Sequence, residues 1–274
     1  MITTYFNGRY IDAGEAVIPI EERGHNFGDG IYDVIRVYNG EPFFLEEHLD
    51  RIFMSAREIR LDIGYDREGF KQLLHDVVAT NGGTNVDIYL QVTRGIAPRA
   101  HAFPQAPASV SIIVRPSPAY TGTSDAMLHP DERWANCYIK SLNLLPNILA
   151  FQTAQDNGCC EAILVKDGHI TEGSRTSVMM VKHGEVWAPV LTKQILSSIT
   201  RMAVKQAAAR AGIPFIEKDF TPEELIAADE VFIAGTGSEI HPIHRIDGAD
   251  IGNGTTGSIT TTLIDEFMRL TRGE

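Results

Sequence analysis

The sequence of 274 residues has few cysteines, and their arrangement excludes the common cysteine-based sites. Its three cysteines are Cys137, Cys159 and Cys160, an odd number in which two are adjacent. That pattern is a poor disulfide framework and contains no C-x-x-C pair that would indicate a metal site. We therefore expect small buried thiols, no metal, and a reducing compartment.

Basic charge and long apolar runs are also scarce. The 24 Lys and Arg residues are outnumbered by 36 Asp and Glu residues, which gives a net charge of -12. Such a chain repels phosphate backbones and anionic lipids, which excludes nucleic acid and membrane surfaces as partners. The N-terminus lacks the pattern of a signal peptide, and no run of apolar residues is long enough to span a membrane. The sequence therefore predicts a cytoplasmic protein, and an anionic small substrate stays possible because a few local arginines can outweigh the net charge.

Turn signals and hydrophobic periodicity in the first half predict two hairpins, two helices and a pair of strands. The hairpins turn at Asn7-Gly8 and at Asn39-Gly40. The remaining predicted elements are helices over 45–59 and 67–79 and strands over 86–92 and 109–115.

The second half again mixes predicted helices and hairpins, after a proline-containing stretch without apolar periodicity. That stretch predicts an N-terminal small α/β domain over 1–115, a linker over 116–123 and a C-terminal domain over 124–274. Predicted elements of the second domain are helices over 150–155, 195–211 and 259–270, hairpins over 162–171 and 178–188, and a strand over 231–234. The pattern favours an α+β protein with two segregated domains.

Lys140 is the lysine with the most apolar sequence context, because the pattern of Tyr138-Ile139 predicts a short strand and a mostly apolar run follows. The other six lysines lie in polar, turn or helical stretches. A desolvated lysine has a lowered pKa, so its neutral amine can attack an aldehyde. The alternative is a lysine at a strand end whose amine reaches solvent, and the segment alone does not decide between them.

Glu172 follows a predicted strand and precedes Gly173. A carboxylate at such a place can keep a pyridine nitrogen protonated, which makes the ring an electron sink. The alternative is a solvated turn residue.

Three further segments are candidate anion sites. The segment 196–201 opens a predicted helix with serines and a threonine, where free backbone N–H groups attract an anion. The segment 233–238 is a strand that runs into a turn of small residues. Arg99 and His101 lie two apart in a turn-rich loop. Each segment also has a structural alternative. The first could be ordinary helix capping, the second a plain tight turn, and the third a solvated basic loop.

Taken in order along the chain, these segments resemble the fold-type IV (class IV) pyridoxal-phosphate (PLP) aminotransferases, and among them the D-amino acid aminotransferases. The resemblance covers nearly the whole chain and includes the segments 27–40, 45–51 and 91–95, followed by those around Lys140, Glu172 and Thr200. It implies a two-domain fold with a smaller N-terminal α/β domain, a larger C-terminal domain with a β-barrel-like sheet, and a homodimer with shared active sites.

The resemblance also implies a role for each matching residue. Lys140 resembles the Schiff-base lysine and proton shuttle, and Glu172 the partner of the pyridine nitrogen. Leu196 resembles a leucine packed on the cofactor ring. The residues that match phosphate-binding positions are Arg51, Ile199, Thr200 and Thr236. Those that match the binding site for the substrate α-carboxylate are Tyr32, Arg99 and His101, the last two contributed by the neighbouring subunit.

The activity implied is transamination between a D-amino acid, such as D-alanine, and a 2-oxo acid acceptor, such as 2-oxoglutarate or pyruvate. Three other activities of the same fold are alternatives: branched-chain L-amino acid aminotransferase, (R)-selective amine transaminase and aminodeoxychorismate lyase. A non-catalytic binding protein is an alternative of another class. Tyr32, Arg99 and His101 favour the D-amino acid enzyme, because together they offer a trap for an α-carboxylate.

The sequence departs from the family pattern in two places. Ser197-Ser198 stand where relatives carry Pro-Gly, and Arg175-Thr176-Ser177 stand where they carry Ser-Ser-Asn. Arg175 either adds an anion contact or points to solvent, and our hypothesis is that it tightens cofactor binding.

Overall fold

A computed structural model describes residues 3–15 and 17–274. The chain divides into two compact units. Unit 1 holds the described residues up to Pro118 together with Ile139–Asn143, and unit 2 holds Ala119–Tyr138 and Leu144–Glu274. The division after Pro118 lies inside the segment expected to be a linker, while Ile139–Asn143 groups with unit 1. The domain limits given by the sequence stay a prediction.

Unit 1 is a six-stranded antiparallel sheet with helices, in the strand order β2-β1-β6-β5-β3-β4. Its strands are β1 (Thr3–Phe6), β2 (Arg9–Asp12), β3 (Gly30–Tyr38), β4 (Glu41–Pro42), β5 (Val86–Thr93) and β6 (Ser109–Pro116). Its helices are α1 (Arg23–Phe27), α2 (Leu45–Glu58) and α3 (Arg67–Asn81).

The core of unit 1 forms where α2 packs on β3. Leu49 and Ile52 of α2 are buried in one cluster with Ile31 and Ile35 of β3. Side chains two apart on a strand share a face, so Asp33 lies on the same face as Ile31 and Ile35. The alternation of β3 therefore places a carboxylate in an apolar core.

Unit 2 contains two five-stranded sheets, in the orders β12-β11-β10-β13-β14 and β16-β15-β7-β8-β9. The strands of the first are β10 (Ser177–Lys182), β11 (Glu185–Ala188), β12 (Phe215–Glu217), β13 (Glu230–Gly235) and β14 (Glu239–Ile243). The strands of the second are β7 (Asp125–Pro130), β8 (Glu161–Lys166), β9 (His169–Gly173), β15 (Arg245–Ile246) and β16 (Ala249–Asp250). The helices are α4 (Leu145–Asp156), α5 (Ile199–Ala211), α6 (Pro222–Ile226) and α7 (Ser258–Thr271).

Helix α5 has clear start and stop signals. Ser198 has extended backbone angles, and its hydroxyl accepts a hydrogen bond from the N–H of Arg201, which caps the helix. Gly212 ends it in the left-handed conformation at φ 68°, where a side chain would be strained. The helix packs against β13 and α7, and its small residues Ala203 and Ala207 are fully buried.

Most of the predicted elements are confirmed, including the hairpins over Asn7-Gly8 and Asn39-Gly40. Three expectations are wrong. The helix expected from Ile195 begins at Ile199, because Ser198 is extended and caps it. The strand expected at Tyr138-Ile139 is irregular backbone, and an isolated bridge lies at Ser141, which pairs with Ile31 within unit 1.

The third concerns the cysteines, because Cys160 is buried but Cys137 and Cys159 are only partly so. All three are free thiols.

In the described part of the chain, no helix combines the length and the apolar character needed to cross a membrane.

Candidate active site

The Lys140 segment is held by backbone hydrogen bonds to the start of β3. The Tyr32 N–H donates to the Lys140 carbonyl at 3.0 Å, and the Leu142 N–H donates to the Gly30 carbonyl at 3.1 Å. On the other side, the Lys140 N–H donates to the hydroxyl of Ser55 in α2 at 3.2 Å. Hydrogen bonds to β3 and α2 therefore fix the backbone position of Lys140, although Lys140 itself lies in a loop.

The Lys140 side chain lies over the aromatic ring of Tyr32. Its Nζ is 4.4 Å from the ring centroid and 3.4 Å from the Tyr32 hydroxyl. Lys140 is partly buried. The Lys140 amine can form a hydrogen bond with the Tyr32 hydroxyl at this distance. The phenol thereby orients the amine without adding the negative charge that a carboxylate would bring.

Arg51 is held inside unit 1 by Asp33. The carboxylate accepts from Arg51 Nε at 2.9 Å and Nη2 at 2.6 Å, and from His48 Nδ1 at 2.9 Å. Burial on its own would raise the pKa of Asp33, but Arg51 and His48 outweigh it and lower that pKa. Burial lowers the pKa of His48, against the opposing effect of Asp33. Asp33 is thus an ionised acceptor that fixes the orientation of Arg51.

Arg99 and His101 lie together against the ring of Phe27. The Arg99 guanidinium carbon is 4.8 Å from the ring centroid, and the ring centroids of His101 and Phe27 are 5.7 Å apart. The loop is tied down by Arg23, whose Nη1 donates to the Ala100 carbonyl at 2.6 Å. Both side chains are exposed and present their donors to solvent, and their role as carboxylate ligands stays a prediction.

Glu172 lies near the end of β9 with its side chain only 8% exposed. Its carboxylate accepts a hydrogen bond from Arg133 Nη1, and the N–H of Leu196 donates to both of its oxygens, at 3.2 and 3.4 Å. The Leu196 N–H thus joins Glu172 to the segment that precedes α5. The solvated-turn alternative is wrong, because Glu172 is a buried and bonded acid.

Arg133 is itself held by Asp131. Its Nε and Nη2 donate to the two Asp131 oxygens at 2.9 and 2.7 Å, and Nη2 also donates to the Gln194 carbonyl at 3.0 Å. The Thr171 hydroxyl donates to Asp131 at 2.8 Å. Burial alone would lower the pKa of Arg133, but Asp131 and Glu172 outweigh burial and raise it. Burial alone would raise the pKa of Asp131, but Arg133 outweighs burial and lowers it. The three charges form one buried, hydrogen-bonded chain within unit 2.

The first residues of α5, Ile199 and Thr200, are buried. Backbone N–H groups in the first turn of a helix have no partner within the helix, and they attract anions. Ser198 uses its hydroxyl as the cap on Arg201 N–H, so capping is confirmed here. The cap does not use the N–H groups of Ile199 and Thr200, on which the anion-site prediction rests.

The turn after β13 carries Thr236 and a buried hydroxyl. Within residues 3–15 and 17–274, Ser238 Oγ has no hydrogen-bond partner. A Cβ on Gly235 would lie 3.3 Å from both Ser238 Oγ and the methyl group of Thr176. Glycine therefore lets this turn approach the loop after β9, and the buried hydroxyl offers a donor to an anion there.

The loop after β9 is organised by Glu161, a fully buried acid. Its carboxylate accepts from the Ser174 N–H at 3.0 Å, from the Ser174 hydroxyl, and from the Thr176 hydroxyl at 2.8 Å. Burial raises the pKa of Glu161 despite these donors. Arg175, between them in the chain, is exposed, and its guanidinium lies 4.1 Å from the ring centroid of Phe151.

Five residues that position the candidate site were missed in the sequence: Asp33, His48, Asp131, Arg133 and Glu161. A signal existed for two of them, since Asp33 interrupts the apolar face of a strand and Glu161 precedes an apolar run. In the described part of the chain, no group of three His, Cys, Asp or Glu could hold a metal ion.

Comparison with known proteins gives one family and close full-length relatives. The model of the family described as amino-transferase class IV matches residues 30–246. The D-alanine aminotransferase of Bacillus licheniformis is 42% identical over 260 residues, which cover 93% of this chain and 92% of that protein.

Solved structures of branched-chain amino acid aminotransferases share the fold. The Escherichia coli enzyme has a TM-score of 0.93 at 28% identity, covering 100% of this chain and 95% of its own. The enzyme of the archaeon Thermoproteus uzoniensis, solved with norvaline, has a TM-score of 0.92 at 31% identity, covering 99% and 95%. The greater sequence identity is to the D-alanine aminotransferase.

Proposed function

Because the chain belongs to the class IV aminotransferase family, which is PLP-dependent, we propose that it transfers the amino group of a D-amino acid to a 2-oxo acid. The observation that carries this proposal is the 42% identity, over almost the full length, to a D-alanine aminotransferase. The identities to the structurally similar branched-chain enzymes of Escherichia coli and Thermoproteus uzoniensis are 28% and 31%. A branched-chain L-amino acid substrate is therefore the less supported alternative.

The residues of unit 2 suit a phosphorylated pyridine. Ser238 supplies a buried hydroxyl without a partner among the described residues, and the first turn of α5 supplies N–H donors from Ile199 and Thr200. With Thr236, these groups are the proposed phosphate ligands in unit 2. Glu172, a buried carboxylate, is the proposed partner of the ring nitrogen, and Leu196 is the proposed packing residue on the ring.

When bound, PLP supplies an electron-withdrawing ring that stabilises negative charge on the substrate Cα. In the proposal, the Lys140 amine binds the cofactor covalently and later carries the proton removed from Cα. The Tyr32 hydroxyl, 3.4 Å from Lys140 Nζ, orients that amine. Arg51, oriented by Asp33, is the proposed phosphate ligand from unit 1.

Selectivity for the D-enantiomer is proposed to come from where the α-carboxylate binds. Lys140 moves the proton on one face of Cα, so the position of the carboxylate decides which hand reacts. Arg99 and His101 share the ring of Phe27 as a support and present two donors to solvent. With Tyr32, they are the proposed carboxylate ligands, each charge-assisted bond contributing about 1.5–3 kcal/mol.

We further propose a homodimer in which Arg99 and His101 serve the active site of the partner subunit. Support comes from α4, where Leu145, Ile148 and Leu149 are 66%, 59% and 59% exposed and lie on one face. An exposed apolar stripe of this size indicates an interaction surface. We propose that a second copy of the chain covers it, which would give the homodimer that the family resemblance implies. Sedimentation velocity tests it: Ile148→Asp should shift a dimer towards monomer.

We also propose the cytoplasmic location expected from the sequence, where the odd number and adjacent pairing of the cysteines make a poor disulfide framework. Cell fractionation tests this part of the proposal.

A single-turnover assay tests the proposed activity. The PLP-loaded enzyme is mixed separately with D-alanine, L-leucine and (R)-1-phenylethylamine, and the carbonyl product released per active site is measured. D-alanine should yield pyruvate fastest. Faster release of product from L-leucine would replace the proposal by a branched-chain activity, and release from (R)-1-phenylethylamine alone would replace it by an amine transaminase.

A further inference from the structure

A buried charged group in unit 2 has no role in the function proposed above. Arg133 lies in irregular backbone after β7, with its side chain 6% exposed. Its guanidinium bridges two carboxylates, those of Asp131 and Glu172. Burying an arginine is costly unless all its donors are used, so this position demands an explanation.

The bonds of Arg133 leave it little freedom to move. Asp131 accepts a fork from Nε and Nη2, at 2.9 and 2.7 Å, and the Gln194 carbonyl accepts from Nη2 at 3.0 Å. Asp131 is in turn fixed by the Thr171 hydroxyl at 2.8 Å. These contacts direct the remaining nitrogen, Nη1, onto one oxygen of Glu172.

We infer that Arg133 is a positioning residue, which orients the Glu172 carboxylate towards the cofactor ring and keeps it ionised, with Asp131 as its anchor. This inference rests on the role of Glu172 in the proposed function. It assigns to Arg133 and Asp131 an influence, through Glu172, on the protonation of the ring nitrogen that Glu172 would bind.

The charge argument depends on distance. Arg133 contacts the Glu172 carboxylate directly, so it stabilises the ionised carboxylate more than it disfavours a cation on the far side of that carboxylate. Arg201 of α5 also interacts with Glu172 electrostatically. Without Arg133, the proton affinity of Glu172 rises more than that of the ring nitrogen. The proton then moves from the nitrogen towards the carboxylate.

The variants separate charge from geometry. Arg133→Met removes both, whereas Arg133→Lys keeps the charge but cannot form the fork. Asp131→Asn leaves Arg133 in place and weakens its anchor. Arg36→Met is the matched control, since Arg36 forms a comparably buried fork with Asp87 in unit 1, at 2.8 and 3.0 Å.

The readouts are the PLP dissociation constant and the ¹⁵N signal of ring-labelled PLP on each enzyme, measured without an amino donor. Arg133→Met should raise the dissociation constant about 10- to 100-fold, the range typical of lost outer-shell partners. It should also shift the nitrogen signal towards that of a neutral pyridine. Arg133→Lys should keep a protonated nitrogen with weaker binding, and Asp131→Asn should give a smaller change of the same sign. Arg36→Met should match the wild type.

The inference is overturned if Arg133→Met binds PLP like the wild type with an unchanged nitrogen signal. Should Arg133→Met fail to fold, wild-type values in both Arg133→Lys and Asp131→Asn overturn it. An equal effect in Arg36→Met also overturns it, by attributing the change to lost stability. Glu172→Gln separates the two levels, because an unchanged nitrogen signal there contradicts the role of Glu172 itself.

Discussion

The buried carboxylate of Asp33 accepts two hydrogen bonds from the guanidinium of Arg51, at 2.9 Å from Nε and 2.6 Å from Nη2. Asp33 comes from β3 and Arg51 from α2, so the pair joins the strand and helix that also hold the Lys140 backbone. A single ion pair therefore links the stability of unit 1 to the position of two candidate cofactor ligands.

We expect Asp33→Asn to lower the free energy of unfolding by about 3–5 kcal/mol, because it leaves the buried Arg51 without its counter-charge. The same variant should weaken PLP binding if Arg51 is a phosphate ligand. Urea unfolding of the apoenzyme and a PLP titration measure the two effects. Asp87→Asn is the control, since its partner Arg36 is not assigned to the site, and it should leave PLP binding unchanged.

The stability of the folded chain should fall as the pH decreases from about 7.5 to about 5.5. Burial lowers the pKa of His48, with Asp33 opposing and with Arg51 and Lys140 adding to the effect. Below the ordinary histidine pKa of about 6.5, the unfolded chain therefore binds a proton that the folded chain does not.

His48→Asn should reduce this loss of stability, as measured by urea unfolding at both pH values. Part of the loss should remain, because burial also lowers the pKa of His241. An equally steep dependence in His48→Asn would show that His48 is protonated in the folded chain.

Tyr32→Phe should reduce kcat about tenfold, because the hydroxyl orients the Lys140 amine, and should also raise KM for D-alanine, because the same hydroxyl is a proposed carboxylate ligand. The ring stays under the Lys140 amine, but the hydroxyl 3.4 Å from Nζ is lost. Steady-state kinetics with D-alanine measure the split. Tyr89→Phe is the control, since that phenol donates to Gln91 rather than to Lys140. Equal losses of kcat in both variants would contradict a role for the Tyr32 hydroxyl.

The local elements of the fold could be predicted from the sequence, because their signals are local. Turn pairs such as Asn7-Gly8 and Asn39-Gly40 need a left-handed backbone, and both form the hairpins expected. Residues 195–198 show the limit of hydrophobic periodicity. The apolar spacing already begins at Ile195, but the helix begins only at Ile199, after the cap residue Ser198. Tyr138-Ile139 has the composition of a strand but is irregular backbone.

The candidate site could be predicted only in part. Lys140 and Glu172 stand out from their neighbours in the chain. Arg133 does not stand out, because its role depends on a hydrogen bond to Glu172, which is 39 residues away in the chain. Asp33 acts on Arg51 across 18 residues. Contacts of this length depend on how strands and helices pack, which a single sequence does not reveal.

Arg175→Ser should raise the PLP dissociation constant if the departure from the family pattern adds an anion contact. The guanidinium is exposed and stacked over Phe151, so it keeps its donors available in one plane. A lost charge-assisted bond of about 1.5 kcal/mol corresponds to roughly a tenfold weaker binding. Arg175→Lys should bind with intermediate strength. An unchanged dissociation constant in Arg175→Ser would leave the stacking on Phe151 as the function of this side chain.

The proposal that Arg99 serves the active site of the partner subunit predicts complementation between two inactive variants. In a mixed dimer of Lys140→Ala and Arg99→Gln subunits, one site would carry both substitutions and the other would carry neither. After unfolding and reassembly of an equal mixture, half of the dimers are mixed, so about one quarter of the wild-type activity should return. Each variant reassembled alone is the control. If Arg99 acts within its own subunit, every site in the mixed dimer carries one substitution and no activity returns.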